Sequence, residues 1–192
     1  MTKTQYYTAT SMDGFIAAPG DSLDWLFEVE SEPGGQFDAF MAGVGAFAMG
    51  ATTYRWVLEH ENLLERPEEW RKWYADRPCW VFTHRDDLPA VPGADIRFVS
   101  GDVRPVHEAM VAAAGGGNVW LVGGGELAGA FADEGLLDEI IVGVAPVTLG
   151  AGAPLLPRLL GASRLRLKEV ERADQFVYLT YELRGVGGDG GS

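Results

Sequence analysis

The sequence is poor in the residues that staple, ligate or neutralise. It has one cysteine, Cys79, and three histidines, His60, His84 and His107. A single thiol cannot close an intrachain disulfide, which excludes the cysteine-stapled framework of small secreted domains. The histidines are scattered, and none falls at a metal-gripping distance from other ligands, so no metal is expected. Basic residues are scarce too: 15 Lys+Arg against 28 Asp+Glu leave a formal net charge of -13. Holding an extended phosphate backbone takes clustered Lys and Arg, which argues against a nucleic-acid partner. One small anion remains within reach, because Gly-rich backbone and a single arginine can hold a phosphate. No apolar run approaches the ~20 residues that cross a bilayer, so no membrane partner is expected. The opening MTKTQYYTATSMDGF reads as a strand, without the basic stretch and apolar core of an export signal. A soluble, cytoplasmic protein is expected.

What is present is an ordinary globular composition. The chain has 192 residues, 47% of them hydrophobic, enough for one well-packed core and short for two. One domain over 1–184 is expected, with 185–192 a Gly-rich flexible tail. Apolar and β-branched runs predict strands over 6–10, 46–49, 79–83, 96–99, 119–122 and 139–144. Between them, helices are predicted near 24–27, capped by Ser22, and over 37–42, 51–58, 106–114 and 126–133. A further helix opens at Pro67-Glu68-Glu69, with proline and acids where a first turn favours them. The Gly/Pro-rich stretch 146–157 reads as loop. Segments 164–170 and 175–183 alternate as two antiparallel strands joined at Ala173-Asp174. Strands alternating with helices and a closing strand pair predict an α/β fold: a mostly parallel central sheet, covered on both faces, with antiparallel C-terminal strands.

Three loops carry the chemistry. Val122 closes a strand, Gly123-Gly124-Gly125 follow, and Glu126-Leu127 open a helix. Glycines let backbone N–H groups approach a phosphate, and the helix start adds partial positive charge. Gly123, Gly125 and Ala128 also match the G-x-G-x-x-A spacing of dinucleotide sites. No acid follows at the end of the next strand, however, so an ordinary Rossmann unit fits poorly. The second loop is Gly50-Ala51-Thr52-Thr53, whose hydroxyls and helix start suit a pyrophosphate. The third is Thr83-His84-Arg85, where Arg85 could meet a ribose 2′-phosphate. In a parallel sheet such loops share one edge.

These motifs together resemble a known family. Thr10-Ser11-Met12-Asp13-Gly14-Phe15-Ile16-Ala17, Met49-Gly50-Ala51-Thr52-Thr53-Tyr54, Val122-Gly123-Gly124-Gly125-Glu126-Leu127 and Ala145-Pro146-Val147-Thr148-Leu149-Gly150 with Pro154-Leu155-Leu156 occur in order. They are similar to the motifs of the C-terminal reductase domain of the bacterial riboflavin-biosynthesis protein, a dihydrofolate-reductase-like family. The resemblance implies a three-layer fold around an eight-stranded sheet, NADPH as hydride donor, and a homodimer. It implies that Gly50, Thr52 and Thr53 hold the cofactor phosphates and that Gly123 and Gly124 lie against it. Ile16 and Ala17 would border the nicotinamide, and Thr83, His84 and Arg85 the 2′-phosphate.

Two departures bear on specificity. Folate reductases often carry a basic residue where this chain has Ala51, so preference for NADPH rests on Arg85. The riboflavin-pathway enzymes have basic residues before the second motif, to hold a ribose phosphate. Here that segment, Gln36-Phe37-Asp38-Ala39-Phe40-Met41, has none. An uncharged, flat pterin- or pyrimidine-like substrate is therefore expected, against Ala9, Trp25 and Phe40. The alternatives are the riboflavin-pathway reduction of 5-amino-6-(5-phosphoribosylamino)uracil and a non-catalytic NADPH-binding protein. Asp24 is the expected proton donor or substrate anchor, because an acid beside an apolar neighbour has a raised pKa. Asp21 is its rival, and Asp13 is expected to stabilise its own turn.

Overall fold

The computed structural model describes residues 1–30 and 35–185, so the tail from 186 onward lies outside the described residues. In chain order the elements are β1 (Thr4–Thr10), β2 (Phe15–Ala17), α1 (Asp24–Phe27), α2 (Gln36–Ala42), β3 (Val44–Gly50), α3 (Ala51–His60), α4 (Glu68–Tyr74), β4 (Cys79–Phe82), β5 (Ile96–Val99), α5 (Val103–Ala113), β6 (Asn118–Gly123), α6 (Gly125–Asp133), β7 (Glu139–Val144), β8 (Ala153–Pro154), β9 (Leu165–Ala173) and β10 (Phe176–Leu183). Eight strands form one sheet in the order β5-β4-β3-β6-β1-β7-β10-β9. The six from β5 to β7 run parallel. β10 runs antiparallel to both β7 and β9. The α/β architecture with an antiparallel C-terminal edge is the one the sequence predicts.

Period-two alternation sends each central strand to two cores. Ala46 and Ala48 of β3, Val119 and Leu121 of β6 and Trp80 of β4 pack beneath α5 and α6 with Met110, Ala128 and Phe131. Phe47, Met49, Trp120, Cys79 and Val81 face the opposite way, toward Tyr54 and Val57 of α3 and Trp70 and Tyr74 of α4. β3 thus presents small residues to one core and large ones to the other. Phe47 is fully buried, and withdrawing a side chain of that size from water stabilises the fold by about 1.5–3 kcal/mol.

Helix starts and turns follow local chemistry, with two departures from expectation. α5 begins three residues early: the Asp102 carboxylate accepts the Arg104 N–H at 2.9 Å. Pro105 then falls in the first turn, where a missing N–H breaks no helical bond. Ser22 does bond α1, its hydroxyl accepting the Asp24 N–H at 3.2 Å, although the helix proper starts after Leu23. The loop over 146–157 is not wholly irregular. Ala153–Pro154 pairs antiparallel with Phe15–Ala17, and Asp13 fastens the stretch before it. The Asp13 carboxylate accepts the Ser11 hydroxyl at 2.6 Å and the N–H groups of Leu149 and Gly150 at 3.0 and 2.7 Å. These bonds, the one from Ser11 foremost, hold its pKa down to about 2. Asp13 thus ties two loops together, beyond its own turn.

Candidate active site

All six parallel strands end on one edge of the sheet, and the crevice outside those carboxyl ends is where open α/β sheets bind ligands. A cleft of about 610 Å³ opens there, within the range of roughly 300–1,000 Å³ typical of small-molecule sites. Its floor is made by two glycine-led helix starts. Gly50 is the N-cap of α3 and Gly124 that of α6, and neither helix has a side-chain cap. The first N–H groups of an α-helix have no intrahelical partner, so two sets of donors meet at this floor. The two starts nearly touch: a Cβ on Gly50 would sit 3.9 Å from the Gly123 carbonyl oxygen, and one on Gly123 would sit 3.3 Å from the Thr53 hydroxyl. The Gly123–Gly124 peptide is cis.

The glycines are required by different neighbours. At Gly125 a Cβ would lie 2.5 Å from the carbonyl oxygens of both Pro154 and Leu155. The strap of residues 153–157 therefore crosses directly over the start of α6. It is held there by the Tyr6 hydroxyl, which donates to the Leu155 carbonyl at 2.9 Å, and by the Leu155 N–H, which donates to Gly14 at 2.9 Å. Gly152, at φ 141, lets the same segment pass against Ala17, where a Cβ would fall 1.9 Å from a carbonyl oxygen.

Of the expected site residues, Ala9, Ile16, Ala17, Gly50, Thr52, Thr53, Val122, Gly123, Gly124, Gly125, Glu126 and Leu127 all line this cleft. The others lie elsewhere. Asp24 faces solvent in the first turn of α1, while Leu23 and Leu26, three residues apart and so on one helix face, line the cleft. Asp21 does border it, at φ 60 in the loop before α1. Trp25 is buried away from the cleft with Ala145 and Phe176, and its indole N–H has no partner among the described residues. Phe40 lines an adjoining hollow. Thr83, His84 and Arg85 lie outside the cleft's lining; Arg85 is exposed and paired in a fork with Asp87 at 2.8 and 2.6 Å. That neighbour, two residues on, binds the guanidinium that was expected to await a phosphate. Glu126 is likewise engaged, by Arg158 at 2.9 Å.

The sequence reading missed most of the cleft's aromatic wall, Tyr7, Phe37, Trp56 and Trp120, which Tyr74 completes. Two of these had a signal. Tyr7 shares a strand face with Ala9, and Trp56 lies one helical turn after Thr53. Among the described residues lining the cleft there is no Lys or Arg.

Across residues 2–179 the chain matches the model of the RibD C-terminal domain. The protein belongs to that family. The RibD C-terminal domain seen here is 35% identical to the uncharacterized protein YwjB of Bacillus subtilis, over 93% of this chain and 97% of the relative. A crystal structure of a Shewanella sp. PV-4 protein described as of riboflavin biosynthesis superposes with a TM-score of 0.76 at 25% identity, covering 96% of this chain and 100% of that one. Dihydrofolate reductase from Enterococcus faecalis, complexed with NADP(H), superposes with a TM-score of 0.57 at 15% identity, covering 95% and 97%. The last likeness is one of fold, and it gives the three-layer, dihydrofolate-reductase-like architecture its name.

Proposed function

We propose that this RibD C-terminal domain is an NADPH-dependent reductase of a small, flat, uncharged heterocycle of pterin or pyrimidine type. The observation that carries the reading is the meeting of two uncapped, glycine-led helix starts on the floor of one cleft. Such a floor suits a pyrophosphate, because backbone donors and both helix dipoles converge on it. The fit extends to shape: Gly125 leaves no room for a side chain under the strap, and no side chain intrudes from Gly50, Gly123 or Gly124.

Gly50, Thr52 and Thr53 would hold the phosphates, with Val122, Glu126 and Leu127 flanking the glycines. Ile16 and Ala17 would border the nicotinamide. When bound, NADPH supplies the hydride. The protein's own part is to orient the acceptor and exclude water: Ala9, Phe37, Trp56 and Trp120 offer a flat apolar wall for a ring. Proton delivery falls to Asp21, the acid that borders the cleft free of an ion pair among the described residues, rather than to Asp24. Arg85 would bind the 2′-phosphate by exchanging Asp87 for it, as a guanidinium fork can. A cytoplasmic homodimer belongs to the same reading, on family resemblance alone.

The lack of Lys and Arg in the cleft's lining argues against a ribose-phosphate substrate, hence against the riboflavin-pathway step itself. One observation favours NADPH binding without turnover. The buried acids among the described residues, Glu69 and Glu139, are both absent from the cleft. Titration with NADPH and NADH, read by quenching of Trp56 and Trp120, tests the reading. Tight NADPH with weak NADH binding is expected, followed by oxidation on adding a pterin or pyrimidine. Binding without oxidation by any such ring favours the second reading, and no binding of either nucleotide overturns both.

A further inference from the structure

The start of α6 carries a charge that works against a phosphate floor. The Ala128 N–H is bonded to the Gly124 carbonyl at 3.2 Å. The N–H groups of Gly125, Glu126 and Leu127, which precede it, have no intrahelical acceptor. Glu126, in that first turn, lines the cleft. An acid there suits a bare helix start, because it answers the dipole. For the same reason it opposes a second anion at the same donors.

The charge is met from the strap. Arg158, the residue after it, lies lengthwise along α6. Its Nε donates to Asp133 at 2.7 Å, and its Nη1 donates to Glu126 at 2.9 Å and to the Pro157 carbonyl at 2.8 Å. Glu126 and Asp133 are two helical turns apart on one face of α6, and Gly129 lies between them. The arginine fills the space that a side chain at Gly129 would need, since a Cβ there would fall 2.8 Å from Cζ and 2.9 Å from Nε. The Arg158 side chain is 26% exposed and that of Glu126 78%. The arginine is therefore the fixed member of the pair, and the acid is drawn to it. Of the ion pairs among the described residues, this one alone includes a residue of the cleft's lining.

We infer that Arg158 is a positioning residue for the cofactor: paired with Glu126, it cancels the acid in the first turn of α6 and leaves that helix start open to a pyrophosphate. The inference rests on the NADPH reading above and adds to it a residue outside the cleft's lining. A charge acting at the pyrophosphate is felt alike by NADPH and NADH, which share that group, whereas Arg85 at the 2′-phosphate separates them. An uncancelled carboxylate beside a bound anion costs about tenfold in affinity at a partly desolvated floor. Removing the acid instead leaves the arginine in excess. Binding then tightens by about threefold, the smaller effect because Asp133 still holds the guanidinium.

The test titrates the whole chain with NADPH and with NADH, read by tryptophan quenching, in a double-mutant cycle. Arg158→Gln is expected to weaken both nucleotides by about tenfold and Glu126→Gln to tighten both by about threefold. The double variant should return to within about threefold of the parent, as should Arg158→Lys, which keeps the charge. The shifts should shrink several-fold between about 50 and 500 mM NaCl. Loss of a mere strap anchor weakens binding whether or not residue 126 is charged, so a double variant as weak as Arg158→Gln overturns the inference. An Arg158→Gln protein that binds both nucleotides within about twofold of the parent, or that loses affinity for NADPH alone, also overturns it. Where Arg158→Gln does not fold, Glu126→Gln decides by itself, and unchanged or weaker binding overturns the inference. A parent protein that binds neither nucleotide overturns the cofactor reading together with this one.

Discussion

Replacing Gly125 with alanine puts one methyl group where the strap and α6 touch. The added Cβ would fall 2.5 Å from two backbone carbonyl oxygens, those of Pro154 and Leu155. Backbone cannot rotate away as a side-chain end can, so the strap must lift. Overpacking of this kind costs about 1–3 kcal/mol. Lifting Leu155 also stretches its 2.9 Å bond from the Tyr6 hydroxyl, a fully buried residue, and losing such a bond costs about 1–3 kcal/mol more. Alanine's better helix propensity at this first helical position returns about 1 kcal/mol. The net loss is about 3 kcal/mol, which for a domain of this size lowers Tm by roughly 6–12 °C. The control is Gly50→Ala, whose Cβ meets nothing closer than 3.9 Å and whose φ of -79° suits any residue. Its Tm should move little while NADPH affinity falls, because the methyl intrudes on the cleft floor. Thermal unfolding and nucleotide titration of both variants separate the effects. A Gly125→Ala protein melting within about 2 °C of the parent would refute the packing argument, since the strap would then be free to shift.

Glu139, buried on β7, accepts bonds from Lys3 at 2.7 Å and from Lys168 and Gln5 at 2.8 Å. Burial raises its pKa, but those three bonds more than reverse the effect and hold it at about 2, against 4.5 for a free carboxyl. A depressed folded-state pKa adds stability that is fully present above the unfolded value and is lost as pH falls from about 4.5 toward 2. Urea midpoints over that window should drop, and Glu139→Gln should flatten this part of the curve; an unchanged slope would remove Glu139 as its cause. Arg85→Ala should bring the NADPH and NADH dissociation constants together by about tenfold, as expected for losing one charge-assisted phosphate contact. The melting temperature should stay put, because the Arg85–Asp87 pair is exposed; an unchanged ratio would take Arg85 out of cofactor selection. Asp21→Asn should lower kcat without weakening NADPH binding, and Asp24→Asn should leave both alone. The reverse pattern would return the proton to α1's first turn.

The layered fold was legible in the chain because its signals are local. Ala46-Phe47-Ala48-Met49 declares a two-faced strand by size alone, and Val119-Trp120-Leu121 does the same, since consecutive residues of a strand must point to opposite faces. The glycine runs at 50 and 123–125 marked the cleft floor for the same reason: a turn between strand and helix is settled by the residues in it. Other features depend on residues far apart in the sequence. The pairing of Phe15–Ala17 with Ala153–Pro154 joins segments over 130 residues apart, and the short β-bridges it needs leave no periodicity to read. Asp24, beside Trp25, read equally as a site acid and as a first-turn helix acid, and the direction of α1 against the sheet turned Leu23 and Leu26 inward and left it in solvent. Arg85 looked available until the chain's own bend brought Asp87 onto it. Sequence by itself determined which residues form strands, helices and glycine turns, through steric and hydrogen-bonding preferences acting over a few residues. Only the tertiary structure decided which of those residues share the cleft, because that depends on strand order and helix orientation, set by how the two cores pack.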